Sequence, residues 1–522
     1  MSKKIEINIS IDTAPVRPIS PYIYGMNGVA PASVPPANEV TASAYRLGGN
    51  RTTGYNWENN LSNAGEDWQH FNDEYLVPRG KDGSIPAITV TDFVENSKKN
   101  GAAAFGSTYA LITLPMAGYV SNDNRRAVLP EETAPSARFA RIVNRKNRPL
   151  SFAPDLADGV VYQDEFINFL LQKLGSARNG GINGYSLDNE PALWPTTHPR
   201  IHPAKTTIAE ILEKSISLAS VVKDHDPDAE VFGPALYGVG AYATFQDAPD
   251  WKGGYANKYG LFIDAYLDGM RKVEEENGRR LLDVLDLHYY TEARCHNDHR
   301  VTEDRNNNAQ CINTRLQSTR SLWDGKYVEN SWVGRYLRHI LPVLPVVNAS
   351  INKYYPGTKL AITEYNFGWE NHVSGGIAQA DALGIFASHG VYLATLWPMT
   401  DNLAYSYAGI NLYTNYDGKG GAFGGTLVKS ATDNIEKSSV YASTDANGAL
   451  HIILLNKSIN ETERFSVKIQ PDKNYKTFTC YGFDAETPAI KNIDSGSLGE
   501  NEENTFVYEM PPLSAYHFVL NP

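Results

Sequence analysis

Between Ile19 and Trp397 the chain repeatedly alternates a short apolar run with a longer stretch of helical or turn-rich sequence. Few architectures accept that pattern, because strands buried on both faces and separated by helices assemble as a parallel sheet. The predicted strands are Tyr22–Met26, Ala44–Gly48, Ala102–Tyr109, Gly184–Asn189, Glu230–Pro234, Val284–Tyr290, Lys359–Tyr365 and Val391–Trp397. Between them, Asp164–Leu174 and Ile208–Lys223 carry apolar residues at three-and-four spacing, and the second stops before Asp226-Pro227. Gly260–Glu276, Trp332–Tyr355 (broken or kinked at Pro342 and Pro345) and Ile377–His389 read as further helices. Eight such units predict an α/β fold, a (β/α)8 TIM-like barrel. An open doubly wound sheet would more often show a Gly-rich phosphate turn after its first strand, and Tyr22–Gly28 has none.

Beyond the Gly-rich loop Gly418–Gly425 the pattern changes. Val440–Ser443, Leu450–Asn456, Phe465–Ile469, Phe478–Phe483, Thr505–Glu509 and Ala515–Leu520 are short strands parted by turn residues, with no long helix. They predict an additional antiparallel β-sandwich domain. At the other end, Ile5, Ile7, Ile9 and Ile11 alternate with polar residues and so share one face of a strand. The barrel has no place for it, so it is predicted to join the sandwich. The expected division is residues 1–14 as that strand, 15–428 as the barrel and 429–522 as the sandwich.

Composition narrows the function. A 42% hydrophobic content over 522 residues builds ample core and excludes a disordered chain. A net charge of −12 argues against nucleic acid as a partner. No apolar run approaches the ~18–20 residues that span a bilayer, so no membrane partner is expected. The 31 Tyr, 18 Phe and 8 Trp fit either a large core with Tyr-rich loops or a cleft paved for sugar rings. Three cysteines exclude a disulfide framework. Cys295 and Cys311 share a polar stretch with His296 and His299, which leaves a local disulfide or a metal site open. The spacing is not a zinc spacing, and an unpaired loop is the ordinary reading. Cys480, in an apolar run, reads as a core thiol.

Barrel chemistry gathers at the C-terminal ends of the strands. The fourth ends Leu187-Asp188-Asn189-Glu190-Pro191 and the seventh Ile362-Thr363-Glu364-Tyr365, on opposite sides of the mouth. A single glutamate after a strand is ordinarily a solvated rim group. Two at facing strand ends match glycoside hydrolysis, in which one carboxyl protonates the leaving oxygen while the other attacks the anomeric carbon or activates water. Asp188 competes for the role, but alternation puts it on the face opposite Asn189.

Here the chain resembles the clan A glycoside hydrolases, with their Asn-Glu acid/base on strand four and Glu nucleophile on strand seven. Ser186-Leu187-Asp188-Asn189-Glu190-Pro191-Ala192-Leu193-Trp194 and Tyr45-Arg46-Leu47-Gly48-Gly49-Asn50 more narrowly resemble glycoside hydrolase family 44. So does the order of a barrel followed by a sandwich. The resemblance covers nearly the whole chain. It implies a retaining endo-β-1,4-glucanase, often also active on xyloglucan, with a β-glucan poly- or oligosaccharide as substrate and no cofactor for catalysis. By motif, Glu190 is the general acid/base and needs a raised pKa, and Glu364 is the nucleophile and needs a low one. Asn189 would bond the sugar 2-hydroxyl.

Around this pair, Arg46 ends strand two, where a cation would keep Glu364 ionised; a rim salt bridge is its alternative. His288 and Tyr290 share one face at the end of strand six, as site residues or as a hydrogen-bonded plug. Trp397 ends strand eight and is expected to floor the cleaved sugar's subsite. Trp57, Trp68, Trp194, Trp332 and Trp369 fall in predicted loops, where each either lines a glucose subsite or packs. Asp155 and Asp158, in Asp155-Leu156-Ala157-Asp158-Gly159, and Glu58 offer hard oxygen ligands. The resemblance adds to the case for a structural Ca2+, against solvated loop acids as the ordinary reading of each residue. Asn50-Arg51-Thr52 is a glycosylation triplet that matters only in a host that glycosylates. Met1-Ser2-Lys3-Lys4-Ile5-Glu6 has no apolar signal core, which fits an intracellular protein or a mature form with a replaced start codon. The polymer substrate favours an extracellular, secreted protein. Two rivals stay open: an exo-acting clan A glycosidase (arabinofuranosidase or xylosidase), and a carbohydrate-binding barrel without catalysis.

Overall fold

The computed structural model describes residues 6–28, 39–105, 108–303, 307–470, 475–498 and 505–522, with the backbone alone at 102–105. Its first strand, β1 (Glu6–Pro18), belongs to the sandwich. Eight parallel strands then close the barrel: β2 (Gly25–Gly28), β3 (Ala44–Leu47), β4 (Tyr109–Leu114), β5 (Gly184–Leu187), β6 (Glu230–Leu236), β7 (Val284–Tyr290), β8 (Lys359–Asn366) and β9 (Leu393–Leu396). Sequence neighbours pair all the way round, and β9 returns to β2. The surrounding helices are α1 (Ile88–Phe105), α2 (Gln163–Leu174), α3 (Ile208–His225), α4 (Phe262–Asn277), α5 (Ala309–Ser318), α6 (Val343–Tyr354), α7 (Val373–His389) and α8 (Ala404–Thr414).

Three expectations need correction. The third strand is not Ala102–Tyr109: the alanines, the strongest helix formers, finish α1, and the strand is the run Tyr109–Leu114 (YALITL). Tyr22 and Ile23 form a helical turn, and β2 starts at Gly25. Trp332–Tyr355 splits into a short helix Trp332–Tyr336 and α6, with Pro342 just before α6 and Pro345 in its first turn, where the ring removes no needed N–H.

The sandwich holds β10 (Thr426–Thr432), β11 (Ser438–Thr444), β12 (Leu450–Asn456), β13 (Glu463–Gln470), β14 (Thr477–Phe483), β15 (Lys491–Ser497), β16 (Thr505–Met510) and β17 (Ser514–Asn521). With β1 they form one nine-stranded sheet in the order β15-β14-β17-β12-β11-β10-β1-β13-β16. The sheet curls over its own apolar face: Tyr508 of β16 meets Phe518 of β17 at 5.0 Å between ring centroids and Phe478 of β14 at 6.4 Å. Pairing is antiparallel except between β1 and β13, which run parallel. Ile7, Ile9 and Ile11 are buried in this core while Glu6, Asn8 and Ser10 are exposed; Ile5 lies outside the described residues. β1 runs on to Pro18 and β10 begins at Thr426, so the divisions at 14 and 428 fall inside strands.

Cys295 and Cys311 form a disulfide, against the unpaired reading. Asn308 caps α5, accepting from Cys311 N at 2.8 Å, and the turned-back chain brings the two Cα atoms to 5.0 Å. Cys480 is buried and free, as expected. Among the described residues no helix is long and apolar enough to cross a membrane.

Candidate active site

Inward-facing side chains fill the barrel in layers. Ala44, Tyr109, Leu111, Phe232, Val284, Ala361 and Leu393 pack as one apolar cluster. One pleat further along the same strand faces come Arg46, Asp286 and Thr363, all buried. Asp286 accepts hydrogen bonds from Ser186 Oγ at 3.1 Å and from Thr363 Oγ1. Strict alternation after Ala361 and Thr363 would turn Glu364 outward. Instead the β7–β8 register shifts so that His288 pairs with Glu364, and this bulge brings Glu364 inside. On the facing strand, left-handed backbone at Asp188 (φ +65°) and Glu190 (φ +47°) breaks the alternation in the same way.

The two glutamates meet over this layer. Glu190, His288 and Glu364 each place one side-chain N or O atom within 4.8 Å of the other two. That spacing fits the ~5–5.5 Å carboxyl separation of retaining glycosidases rather than the wider inverting gap. Arg46 Nη1 donates to Glu364 Oε1 at 2.7 Å, and Tyr290 Oη donates to Oε2 at 2.9 Å. His288 Nδ1 lies 2.8 Å from Glu190 Oε1 and 3.5 Å from Glu364 Oε2. Arg46 also donates to Asn189 Oδ1 (2.8 Å) and Asn27 Oδ1 (3.1 Å). Asn27, whose amide bonds the Thr363 carbonyl at 2.8 Å, ties the first barrel strand to the bulge.

Burial sets the protonation. It pushes Glu190 up to about 7, with Arg46 opposing and the charge of Asp67 adding to the rise. It pushes His288 down to about 4, so the imidazole adds no charge between the carboxyls at neutral pH. Asp188 is an anchor: Oδ1 accepts from Thr53 Oγ1 (2.6 Å), Asn189 N (2.7 Å) and Trp194 Nε1 (3.4 Å), and Oδ2 from Met116 N.

A cavity of about 610 Å3 adjoins Asn189 through its partners Gly49 and Asn50, and is lined further by Asp67, Trp68, Tyr75, Arg126 and Trp397 among others. Both tryptophans, Trp397 and Trp68, thus face one open cavity. Gly49 takes φ +91°, and a Cβ there would come 2.5 Å from the Trp397 ring. Only glycine serves at this approach. Trp57 and Trp194 are fully buried packing residues; Trp57 stacks on Phe166 at 5.3 Å. Trp332 is 36% exposed and Trp369 stacks on His372 at 4.3 Å; neither lines the cavity.

Glu58 is buried, and its pKa rises to about 8 through burial and the facing charges of Asp158, Glu165 and Asp155, with Lys146 opposing. Glu58 thus faces three further carboxylates, hard oxygens of the kind calcium takes. Among the described residues, however, the trio at Glu190 is the one grouping whose ligand atoms already gather within 4.8 Å.

Sequence reasoning missed Asn27, Gly49, Asn50 and Asp67. Gly49 and Asn50 stood in the quoted motif, while Asp67 lies in an insertion with no periodic signal.

A family model described as glycoside hydrolase family 44 matches residues 61–293. Endoglucanase A of Paenibacillus lautus is 47% identical, over 99% of this chain and 72% of its own length. Among solved structures, Cel44A, a family 44 endoglucanase from Clostridium thermocellum, is 50% identical with a TM-score of 0.93, covering 99% of this chain and 100% of that one. A Paenibacillus polymyxa xyloglucanase of the same family, solved with xyloglucan, is 45% identical with a TM-score of 0.93, again over 99% and 100%.

Proposed function

Because the chain belongs to glycoside hydrolase family 44, we propose that it is a retaining endo-β-1,4-glucanase acting on cellulose-type glucans and xyloglucan. The observation that carries the mechanism is the close, differently held carboxyl pair. Glu364, with a donor on each oxygen, attacks the anomeric carbon. Glu190, its Oε1 engaged by His288, gives its proton to the departing glycosidic oxygen. The C–O bond to the leaving chain breaks as the Glu364–sugar ester forms. Glu190, now ionised, takes a proton from water, whose oxygen attacks the same carbon and frees Glu364. Asn189 bonds the hydroxyl next to that carbon, and Trp397 and Trp68 floor the sugar rings. A polymer of this kind does not cross membranes, so the site of action is outside the cell.

The test is reducing-end release from carboxymethyl-cellulose, xyloglucan, xylan and mannan, beside Glu364→Gln and with products sized. Oligosaccharides from the β-1,4-glucans, absent with the variant, are expected. Monosaccharides alone would favour an exo-glycosidase, and binding without release a non-catalytic barrel.

Glu58, Asp155 and Asp158 are further proposed to hold a structural Ca2+. Calcium should raise Tm over a chelated sample, and Glu58→Gln should abolish the difference. An equal Tm with and without calcium would remove the site.

A further inference from the structure

Asn189 is held in one orientation. Its Oδ1 takes two donors, Arg46 Nη2 at 2.8 Å and Gly49 N at 3.2 Å. Its Nδ2 therefore points the other way, to Asn50 Oδ1 at 3.2 Å. Asn50 in turn aims its own Nδ2 at Asp67, 3.0 and 3.1 Å from the two carboxylate oxygens. The bonds run in a single direction, from the Arg46 cation through two amides to the Asp67 anion. An ionised carboxylate only accepts. A flipped Asn50 would set its carbonyl against Asp67 and its NH2 against that of Asn189.

We propose that Asp67 is a positioning residue of this site: Arg46 and Gly49 set the polarity of the Asn189 amide, and Asp67, by holding the Asn50 carbonyl toward Asn189 Nδ2, fixes where the second N–H of that amide points. That second N–H is thereby held toward the hydroxyl beside the anomeric carbon. The proposal rests on the hydrolytic reading above. In the open cleft Asp67 is solvent-exposed, and an amide–carboxylate bond in water contributes little. A sugar lying in the cavity that Asp67 lines excludes that water, and the same bond strengthens. The effect therefore belongs to the bound complex, and to kcat more than KM, because the hydroxyl contact tightens toward the oxocarbenium-like transition state.

The experiment compares wild type with Asp67→Asn on an aryl β-cellobioside and on its analogue lacking the 2-hydroxyl of the ring that is cleaved. On the parent glycoside Asp67→Asn should lose about 10- to 100-fold in kcat with KM little changed, the scale of a small misplacement at a reacting centre. On the 2-deoxy glycoside the two proteins should be equal when both are compared well below pH 7, where Glu190 is protonated with or without the Asp67 charge. The double variant Asn50→Asp, Asp67→Asn keeps an obligatory acceptor in front of Asn189 Nδ2 and should recover most of the lost kcat. An unchanged kcat for Asp67→Asn on the parent, or an equal loss on both glycosides, would overturn the proposal. A wild-type protein inactive on the parent glycoside and on the polymers would instead sink the hydrolytic reading itself.

Discussion

Glu190 and His288 touch at 2.8 Å, and burial acts on both by disfavouring their charged forms. For a carboxyl that means a pKa pushed up to about 7, and for an imidazole one pushed down to about 4, so both stay neutral between those values. The general acid must be protonated at the start of each cycle. The kcat/KM profile should therefore fall as pH rises through about 7 in the free enzyme. An activity that keeps rising past pH 8–9 would assign the acid to another group. At this scale the sequence was most legible where a residue ends a strand or sits in a motif: Arg46, Asn189, Glu190, His288, Tyr290 and Glu364 all converge. It was least legible for loop aromatics, because a tryptophan's exposure depends on what folds over it. Trp57 and Trp68 lie in one stretch between β3 and α1, yet one is buried and the other 58% exposed.

At the level of elements, short apolar runs located seven of the eight barrel strands, alternation of two the N-terminal strand, and periodicity near four most of the helices. They failed where the backbone departs from either period. Nothing in Ile362-Thr363-Glu364 announces a bulge, though without one Glu364 would leave the site. The strands β10 and β15 escaped notice because neither shows an apolar run or an alternating apolar face: β10 has Leu427 and Val428 side by side, hence on opposite faces, and β15 is almost wholly exposed. The turn after β3 is a further device of this kind. Gly49 donates its N–H to Asn189 and yields to the Trp397 ring at φ +91°. Gly49→Ala should cost more than about 1 kcal/mol, from backbone conformation and the displaced ring. It should also lower activity by moving both partners. Unaltered Tm and kcat in that variant would show that the turn tolerates a side chain.

Across the whole molecule, barrel and sandwich share one interior. Tyr441, Ile453, Leu455, Phe483 and Ala515 of the sandwich belong to the same apolar cluster as the barrel helices. Tyr441 Oη donates to the buried Asp381 of α7 at 2.6 Å, and His517 Nδ1 lies 2.7 Å from the Leu412 carbonyl of α8. Such a continuous core predicts a single calorimetric transition; two resolved transitions would mean that the parts melt separately. The division into barrel and sandwich was legible from the change in pattern, but their fusion was not, since an apolar side chain does not name the element it packs against. The placement of β1 has a consequence for how the protein is made. Ile9 pairs with Thr432 on one side and Val467 on the other, so its partners are translated more than four hundred residues later. At ribosomal speeds of about 5–20 residues per second that interval is roughly 20–85 s. For that time an isoleucine-rich, strand-forming segment has left the ribosome without its neighbours, and a chaperone or the growing barrel must keep it from pairing elsewhere.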